Sequence, residues 1–256
     1  GYDFVSPDDP GVGRDFSTAN DGDGRDADAS DPGDWITAAE NASGPFQGCG
    51  ESPSSWHGTQ TTGLVAAATH NAVGIAGSGR DVRVLPVRVL GKCGGFLSDV
   101  VAGMLWAGGL SSDPVVNPNP AWVINLSLGS TGSCAGSLYE SAISQLAAAG
   151  VVVAVAAGND AGLAVGRPAN CAGAIGVGGL RHVGTKVGFS DVGPEISISA
   201  PGGNCVNLSG SCLFPLLTTT NSGSTVPGGN TYSDGSNASV GTSFSSPLVA
   251  GTAALM

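Results

Sequence analysis

Three polar residues stand far apart in the chain, each beside a short motif, and together they could perform nucleophilic catalysis. His57 begins the segment HGTQTTG, Asn159 follows VVVAVAAG, and Ser243 lies within GTSFSSPLVAG. A serine hydroxyl becomes a good nucleophile when a neighbouring imidazole removes its proton. The oxyanion that forms on an attacked carbonyl needs fixed donors, such as a side-chain amide and a backbone N–H at a helix N-terminus. Taken singly, each residue has an ordinary structural explanation as a helix cap or a turn residue.

The segments around these residues alternate between strand and helix. Short β-branched runs that are apolar on both faces predict buried parallel strands at 82–90, 121–128 and 151–156. Helical segments lie between them, so the order β-α-β-α-β predicts an α/β protein with a doubly wound, mostly parallel sheet. Ligands bind outside the carboxyl ends of the strands in such sheets, which is where the three polar residues could meet.

Helix start and stop signals bound the segments between the strands. SDVVAGMLWAG (98–108) predicts a helix with Ser98 as its N-cap. SLYESAISQLAAAG (137–150) predicts a second helix, with a capping box formed by the first serine and the glutamate three residues later. Ser243 is expected at the entrance of a third helix, with Pro247 tolerated in its first turn. No linker or repeat divides the chain, so one domain over 1–256 is expected.

The composition describes a folded chain and excludes two kinds of partner. The chain has 256 residues, of which 41% are hydrophobic, enough for one well-buried core. A net charge of −11 argues against nucleic acid or an anionic membrane as the main partner. No apolar run reaches the roughly 18 residues that cross a bilayer. The 6 cysteines, without a CxxC pair, indicate three disulfides and an oxidising compartment rather than a zinc site.

Four motifs resemble the signature segments of the subtilisin-like serine proteases (subtilases, peptidase S8) in order and spacing. These are HGTQTTG, SLGS, AAGND and GTSFSSPLVAGTAAL, while GYDF and PVRVLGKCGG resemble the secreted bacterial branch. The resemblance implies a serine endopeptidase that hydrolyses peptide bonds in proteins through an acyl-enzyme. It implies that Ser243 is the nucleophile, His57 the general acid and base, and Asn159 an oxyanion donor.

The same resemblance indicates where a polypeptide substrate binds. Ser127, Leu128 and Gly129 on one side, and Gly94 and Gly95 on the other, resemble the two extended edges between which the substrate lies as an added strand. Ala156 and Gly158 resemble the wall of the pocket for the residue before the scissile bond. Small residues there suggest a roomy pocket, although the nearby Arg167 leaves the preference open.

The chain departs from the family pattern in two places. The family's HGTHVAG reads HGTQTTG here, so Gln60, Thr61 and Thr62 are expected to alter packing without loss of activity. The catalytic Asp of the triad normally closes a strand of the type V-x-D-[ST]-G, and no such segment occurs in the sequence. Asp3 lies in a segment that resembles the part following that strand. The missing strand is therefore expected upstream of Gly1, just as the last helix is expected to continue beyond Met256.

The segment NDGDGRDADASDPGDW (20–35) concentrates carboxylates and predicts a structural calcium site. Calcium takes about six to eight oxygen ligands on flexible loops, and subtilases bind calcium on loops near this point. The spacing is not that of an EF-hand, and a solvated acidic turn is the alternative explanation. The candidate ligands are Asp21, Asp23, Asp26, Asp28, Asp31 and Asp34.

The resemblance also implies disulfide pairs, a compartment and an assembly state. It pairs Cys49 with Cys93, Cys134 with Cys171, and Cys205 with Cys212. It implies a secreted, extracellular protein that acts as a monomer on polypeptides, with an inhibitory pro-segment before maturation. Two other hypotheses remain open: a catalytically inactive subtilase-like module that binds in a calcium-dependent manner, and a non-enzymatic calcium-loop adhesion domain.

Overall fold

Strands and helices alternate through the middle of the chain. The computed structural model describes residues 1–8, 15–205, 213–233 and 240–256. In chain order, the elements are β1 (Tyr2–Asp3), α1 (Ala38–Ala42), α2 (His57–Ala66), β2 (Val87–Arg88), α3 (Leu97–Ala107), β3 (Val123–Leu126), α4 (Leu138–Ala148), β4 (Val152–Ala156), β5 (Ala174–Leu180), β6 (Ile196–Pro201), β7 (Thr219–Asn221), β8 (Asn230–Tyr232) and α5 (Thr242–Ala253).

A four-stranded parallel sheet carries the core. Its strand order is β3-β4-β5-β6, and every neighbouring pair is parallel. Successive side chains of a strand point to opposite faces, so Ile124 and Leu126 of β3 join Val153 and Val155 of β4 on one face. That face packs against α3 and α4 and forms the largest apolar cluster, in which Ile143 is fully buried.

The other face of the sheet is lined by smaller side chains and is covered by α5. Ala154, Val177 and Ala200 form a second buried cluster with Ala250 of this helix. Small residues on both sides let α5 contact all four strands, while α2 packs beside it. Helices on both faces of a parallel sheet confirm the predicted doubly wound α/β fold.

A second, two-stranded sheet lies beside the main core. β1 and β2 pair in parallel, with Tyr2 opposite Val87, and the partly buried Leu85, Val87 and Val89 pack against the main cluster. Among the strands that the structure describes, β2 pairs only with β1 and β3 only with β4. Each of these two strands therefore keeps one unpaired edge.

The strand predictions were right for two segments and largely wrong for the third. The strands predicted at 121–128 and 151–156 are confirmed, with shorter bounds, as β3 and β4. The strand predicted at 82–90 is reduced to the two residues of β2. Pro86 stands immediately before β2 and has no N–H to donate to a strand ladder, which explains the early break.

Both predicted helices exist, but their capping differs from the prediction. α3 begins at Leu97, with Phe96 at the N-cap, so Ser98 is not the cap. Ser137 is the N-cap of α4 as predicted, but its side chain forms no capping bond. Its hydroxyl donates to the carbonyl of Cys134 at 2.6 Å instead, so the predicted capping box is wrong.

Two of the three predicted disulfides are present, Cys49–Cys93 and Cys134–Cys171. The third predicted pair, Cys205 with Cys212, includes a residue outside the described ranges and stays a prediction. Within the part of the chain that the structure describes, no helix is both long enough and apolar enough to cross a membrane.

Candidate active site

Ser243 lies at the N-terminus of α5, where the backbone favours negative charge. It is the second residue of the helix and is half-buried. Gly241 is the N-cap, with a φ of 149°, and its N–H donates to the carbonyl of Gly202 at 2.8 Å. The first-turn N–H groups of a helix have no partner four residues earlier, and the helix dipole adds a partial positive charge there.

His57 is the first residue of α2 and faces the residue after Ser243. Its imidazole lies edge-on to the ring of Phe244, with the two ring centroids 5.8 Å apart. Trp56 before it takes a left-handed backbone conformation, with a φ of 50°, and its indole N–H donates to the carbonyl of Gly223 at 2.6 Å. This contact anchors the point where the chain enters α2 and therefore holds the backbone that carries the imidazole.

Burial lowers the pKa of His57, while the negative charge of Asp34 acts in the opposite direction. The imidazole is therefore biased toward its neutral form. Only the neutral ring can accept a proton from a serine hydroxyl.

Asn159 follows β4 and presents its carboxamide beside the α5 N-terminus. Its Oδ1 accepts hydrogen bonds from the backbone N–H and the hydroxyl of Thr242, at 2.8 and 3.1 Å. Since Oδ1 is fixed by Thr242, the Nδ2 group points away from that residue. Asn159 itself is exposed, so this group can donate to a bound molecule.

Pro247 explains an unusual pair of hydrogen bonds at Ser243. It is the sixth residue of α5, in the second turn rather than the predicted first, and it has no N–H for the carbonyl four residues earlier. That carbonyl belongs to Ser243 and instead accepts the hydroxyl of Ser127 at 2.6 Å. In return, the hydroxyl of Ser243 donates to the carbonyl of Ser127 at 3.2 Å. The nucleophile candidate is thus held against the end of β3.

The half-buried side-chain amide of Asn125 extends this network. The Nδ2 of Asn125 donates to the hydroxyl of Ser127 at 2.9 Å. Its Oδ1 accepts the hydroxyl of Ser246 at 2.8 Å, one turn along α5. Asn125 is a polar residue within a predicted buried strand, and this was the one available signal that it has a specific partner.

The predicted substrate-binding residues divide into two groups in the structure. Ser127, Leu128 and Gly129 follow β3 directly, and the last of them is exposed. Ala156 ends β4, and the N–H of Gly158 lies 3.1 Å from the hydroxyl of Thr242. Ser127 and Gly158 thus bond to the first two residues of α5, and the other three residues are their close neighbours in the chain.

Gly94 and Gly95 lie on the connection between β2 and α3. Gly94 closes a tight turn with Gly91, has a φ of 113°, and precedes the exposed Gly95. Arg167 contacts the segment that follows β3. Its backbone carbonyl accepts the N–H of Ser130 at 2.8 Å, and its Nε donates to the hydroxyl of Ser130 at 3.2 Å.

Comparison with known sequences identifies the family. The profile of the subtilase family (peptidase S8) matches residues 24–256. The chain belongs to the subtilase family. This confirms the resemblance that the four motifs indicated.

Proteases are similar to this subtilase along its whole length. It is 45% identical to the "Extracellular protease" of Xanthomonas campestris pv. campestris and 36% identical to the "Extracellular basic protease" of Dichelobacter nodosus, each match covering 100% of this chain. It spans 40% and 39% of those proteins, or about two fifths of their length. Among solved structures, "Proteases from Pseudoalteromonas arctica PAMC 21717" matches with a TM-score of 0.87 at 43% identity, covering 100% of this chain and 70% of that one.

The carboxylate of Asp3 in this subtilase chain binds partners in the β1–β2 region. It forms an ion pair with Arg88 and accepts the N–H of Val5 at 2.7 Å. Burial raises the pKa of Asp3 to about 6. The carboxyl is therefore committed to the β1–β2 sheet, which agrees with the prediction that it is not the catalytic acid.

Five of the six predicted calcium ligands line one cavity of about 420 Å³; they are Asp21, Asp23, Asp26, Asp28 and Asp31. Asp34 is not among the residues that line this cavity, and its role as a calcium ligand stays a prediction. Its carboxylate accepts both the N–H and the hydroxyl of Ser55, at 2.6 and 2.7 Å. These bonds hold it at the entrance of α2.

The cavity has the donor chemistry that calcium prefers, but its carboxylates do not converge. Asp21 forms an ion pair with Arg88, and Asp26 accepts the N–H of Asp28 at 2.8 Å. Burial, with a contribution from the like charge of Asp34, raises the pKa of Asp31. Within the described residues, no group of three or more His, Cys, Asp or Glu side chains could hold a metal ion. The arrangement as it stands does not fit a bound calcium ion.

Proposed function

We propose that this chain is a catalytic domain of a secreted serine endopeptidase that hydrolyses peptide bonds in proteins. One observation carries the proposal: the elements that carry Ser243, His57 and Asn159 meet at the N-terminus of α5. The imidazole packs on Phe244, and the carboxamide is bonded to Thr242, the two neighbours of the serine.

The proposed reaction begins with attack by the Ser243 hydroxyl on the scissile carbonyl. Its Oγ leaves the carbonyl of Ser127, gives its proton to His57 and bonds to the carbonyl carbon. The oxyanion accepts hydrogen bonds from Nδ2 of Asn159 and the backbone N–H of Ser243. The scissile C–N bond then breaks as His57 gives the proton to the leaving amine. The acyl group remains bonded to Oγ of Ser243 as the acyl-enzyme. Water hydrolyses this ester by the same steps in reverse order, and the serine is restored.

The substrate is proposed to bind as an extended strand. Ser127, Leu128 and Gly129 supply one edge and Gly94 and Gly95 the other, because exposed backbone groups at a strand end can pair with a peptide. Small residues at Ala156 and Gly158 leave room for the side chain before the scissile bond. Proximity of Ser127 to Ser243 supports this arrangement, since a peptide bound at that edge passes the nucleophile.

A carboxylate that orients His57 is proposed to lie on a strand between β2 and β3. Both strands keep an unpaired edge among the described strands, and both contribute side chains to the main cluster. A parallel strand inserted there would join the two sheets into one. Its carboxyl end would open toward the same edge as Ser127 and Ala156.

Covalent labelling tests this function on the full-length protein. A fluorophosphonate probe should form an adduct on Ser243, found by mass spectrometry of the digested protein, because only an activated serine attacks it. Ser243→Ala should abolish labelling, His57→Ala should slow it strongly, and the distant Ser98→Ala should label like the unmodified protein. Folded protein without an adduct, or with its adduct on another serine, would refute the assignment.

We also propose that the cavity lined by carboxylates takes up calcium. Support comes from five aspartates around one cavity and from their mutual repulsion, which a cation would relieve. A rearrangement is required, because the carboxylates do not converge in this structure. The role would be structural, since none of these residues is part of the site around Ser243.

Secretion is proposed from the names of two relatives and from the disulfides. Monomeric action is proposed from the family resemblance alone. Two relatives are named extracellular proteases, and the two disulfides are of the kind that persist in an oxidising compartment. An inhibitory pro-segment before maturation is proposed from the family resemblance alone. Polypeptides are the proposed partners.

A further inference from the structure

Asp191 is a buried carboxylate that the proposed reaction does not use. It lies between β5 and β6 and is only 2% exposed. Its Oδ1 accepts the backbone N–H of Asp160 at 2.9 Å. Burial raises the pKa of Asp191, although hydrogen bonds from the backbone of Asp160, Gly162 and Leu163 act in the opposite direction. The carboxylate thus faces several N–H donors of one short segment.

That segment is the turn that follows β4, residues 158–163. The N–H of Asp191 donates to the carbonyl of Gly158 at 3.1 Å, and the N–H of Val192 donates to the carbonyl of Leu163 at 2.9 Å. Asp191 and its neighbour therefore bond to both ends of the turn. A Cβ on Gly158 would lie 2.2 Å from Oδ2 of Asp191, so the turn approaches the carboxylate as closely as a glycine allows.

Asn159 lies inside this turn, one residue after Gly158 and one before Asp160. Its carboxamide is fixed at the other side by Thr242. The turn thus has two supports: Thr242 fixes Oδ1 of the side chain, and Asp191 fixes the backbone that carries it.

We propose that Asp191 is a positioning residue, whose carboxylate holds the turn 158–163 so that Nδ2 of Asn159 faces the developing oxyanion. The proposal rests on the proposed function, since it gives Asn159 the donor role. A merely structural role explains the burial less well. A buried ionised carboxylate costs folding free energy, and a neutral residue would avoid that cost.

Two other charged groups face this segment. Asp160 on the turn adds a like charge that disfavours ionisation of Asp191. The ammonium of Lys186 donates to the carbonyls of Val187 and Ser190, at 2.9 and 2.8 Å. It therefore helps to hold the connection that carries Asp191.

A double-mutant cycle on the full-length protein separates positioning from structure. Asp191→Asn keeps the shape but turns an NH2 group toward backbone donors, so we expect kcat to fall about 10- to 100-fold with KM changed less than about 3-fold. In an Asn159→Ala background, the same substitution should lower kcat by less than about 3-fold, because its target is gone. Asp160→Asn, a matched loss of one carboxylate on the same turn, should change kcat by less than about 2-fold.

The outcomes distinguish this proposal from the one on which it rests. Equal losses from Asp191→Asn in both backgrounds would show that Asp191 acts on folding alone and would overturn the positioning role only. Asn159→Ala with nearly unchanged kcat would overturn the donor role itself, and the positioning role with it. Each variant is assayed below its unfolding midpoint, and Asp191→Ser replaces Asp191→Asn in the same cycle if the latter does not fold.

Discussion

The protonation state of His57 sets the pH range in which the proposed reaction can run. The imidazole must be neutral to take the serine proton, so activity is lost as pH falls through its pKa. Burial lowers this pKa and the charge of Asp34 raises it. Asp34 is also bonded to Ser55, two residues before His57, so its charge is held close to the ring.

Replacing Asp34 with Asn should therefore move the acid limb of the activity profile to lower pH. The amide removes the negative charge that favours the imidazolium, so the neutral ring persists further into acid. The measurement is the midpoint of kcat/KM against pH, with Asp113→Asn, an exposed carboxylate elsewhere, as control. The difference should shrink in 1 M NaCl, where charges are screened beyond roughly 3 Å. A midpoint that moves upward in Asp34→Asn would contradict this account of the ring.

A second residue-scale prediction concerns the oxyanion donor. Asn159→Ala should lower kcat strongly, because the remaining backbone N–H stabilises the oxyanion alone. The loss of such a donor in subtilisin costs about 10²–10³ in kcat, a value that belongs to that relative. Steady-state kinetics with a peptide amide measure it, and Asn170→Ala, an amide outside the site, serves as control. Loss in KM rather than kcat would argue for a ground-state contact.

Sequence reasoning named the residues that are proposed to carry the chemistry, but it missed the residues that hold them in place. His57 and Ser243 stand in motifs whose residues are adjacent in the chain, so local spacing was enough. Thr242, Asn125 and Asp191 act through partners that lie 83, 121 and 31 residues away. No local pattern encodes such a contact, because the parallel sheet brings the partners together only after folding.

The loop that carries Gly94 and Gly95 is held by a buried lysine. Lys92 is 4% exposed, and its ammonium pairs with Glu40 and lies 4.7 Å from the ring centroid of Trp35. The hydrogen bond from Lys92, aided by those from Thr37, lowers the pKa of Glu40 to about 2. Because the pKa in the fold lies below the ordinary value of 4.5, this pair stabilises the fold above about pH 4.5 and loses its effect as pH falls toward 2.

Replacing Lys92 with Met should loosen the proposed substrate edge without changing the reaction centre. Methionine fills the space but leaves the Glu40 carboxylate without its cation, so the loop loses one of its contacts and is held mainly by the Cys49–Cys93 disulfide. We expect KM for a peptide long enough to reach Gly94 and Gly95 to rise about 3- to 10-fold, the effect of about 1 kcal/mol. A short ester that stops before this edge should be unaffected.

The control for this variant is Arg80→Met, which removes an exposed cation elsewhere and should leave both substrates unchanged. Equal losses with the long and the short substrate would mean that Lys92 supports the whole fold rather than this edge. That result would also weaken the assignment of Gly94 and Gly95 to substrate binding.

At the level of elements, β3 and β4 could be predicted from their apolar residues on both faces. β5 could not be predicted, because its sequence is rich in glycine. The segment AIGVGGL is a seven-residue strand between two parallel partners, yet three of its residues are glycines, which disfavour strands. Tertiary packing overrides that preference. A Cβ on Gly176 would lie 2.6 Å from the carbonyl of Glu195, so the close approach of neighbouring backbone requires glycine there.

For the whole molecule, the charge distribution bears on stability more than on the fold. The net charge is −11, and five aspartates line one cavity in the N-terminal part of the chain. Like charges at this density repel one another, and the ion pair of Asp21 with Arg88 compensates one of them. Sequence composition predicted this crowding correctly. It could not predict the hydrogen bonds of Asp34 with Ser55, because the two residues meet only in the folded chain.

If calcium binds the cavity, the melting temperature must depend on calcium more than on ionic strength. At a concentration of about 100 Kd, a bound ligand stabilises the fold by about 2.7 kcal/mol, which corresponds to about 5–10 °C for a domain of this size. Calorimetry in CaCl2 should show this increase over NaCl at matched ionic strength, and EDTA should remove it. Asp28→Asn should abolish most of the increase, whereas Asp81→Asn, an exposed carboxylate outside the cavity, should keep it. Equal melting temperatures in the two salts would mean that the loop is a solvated acidic turn, and that the carboxylates stay apart because nothing draws them together.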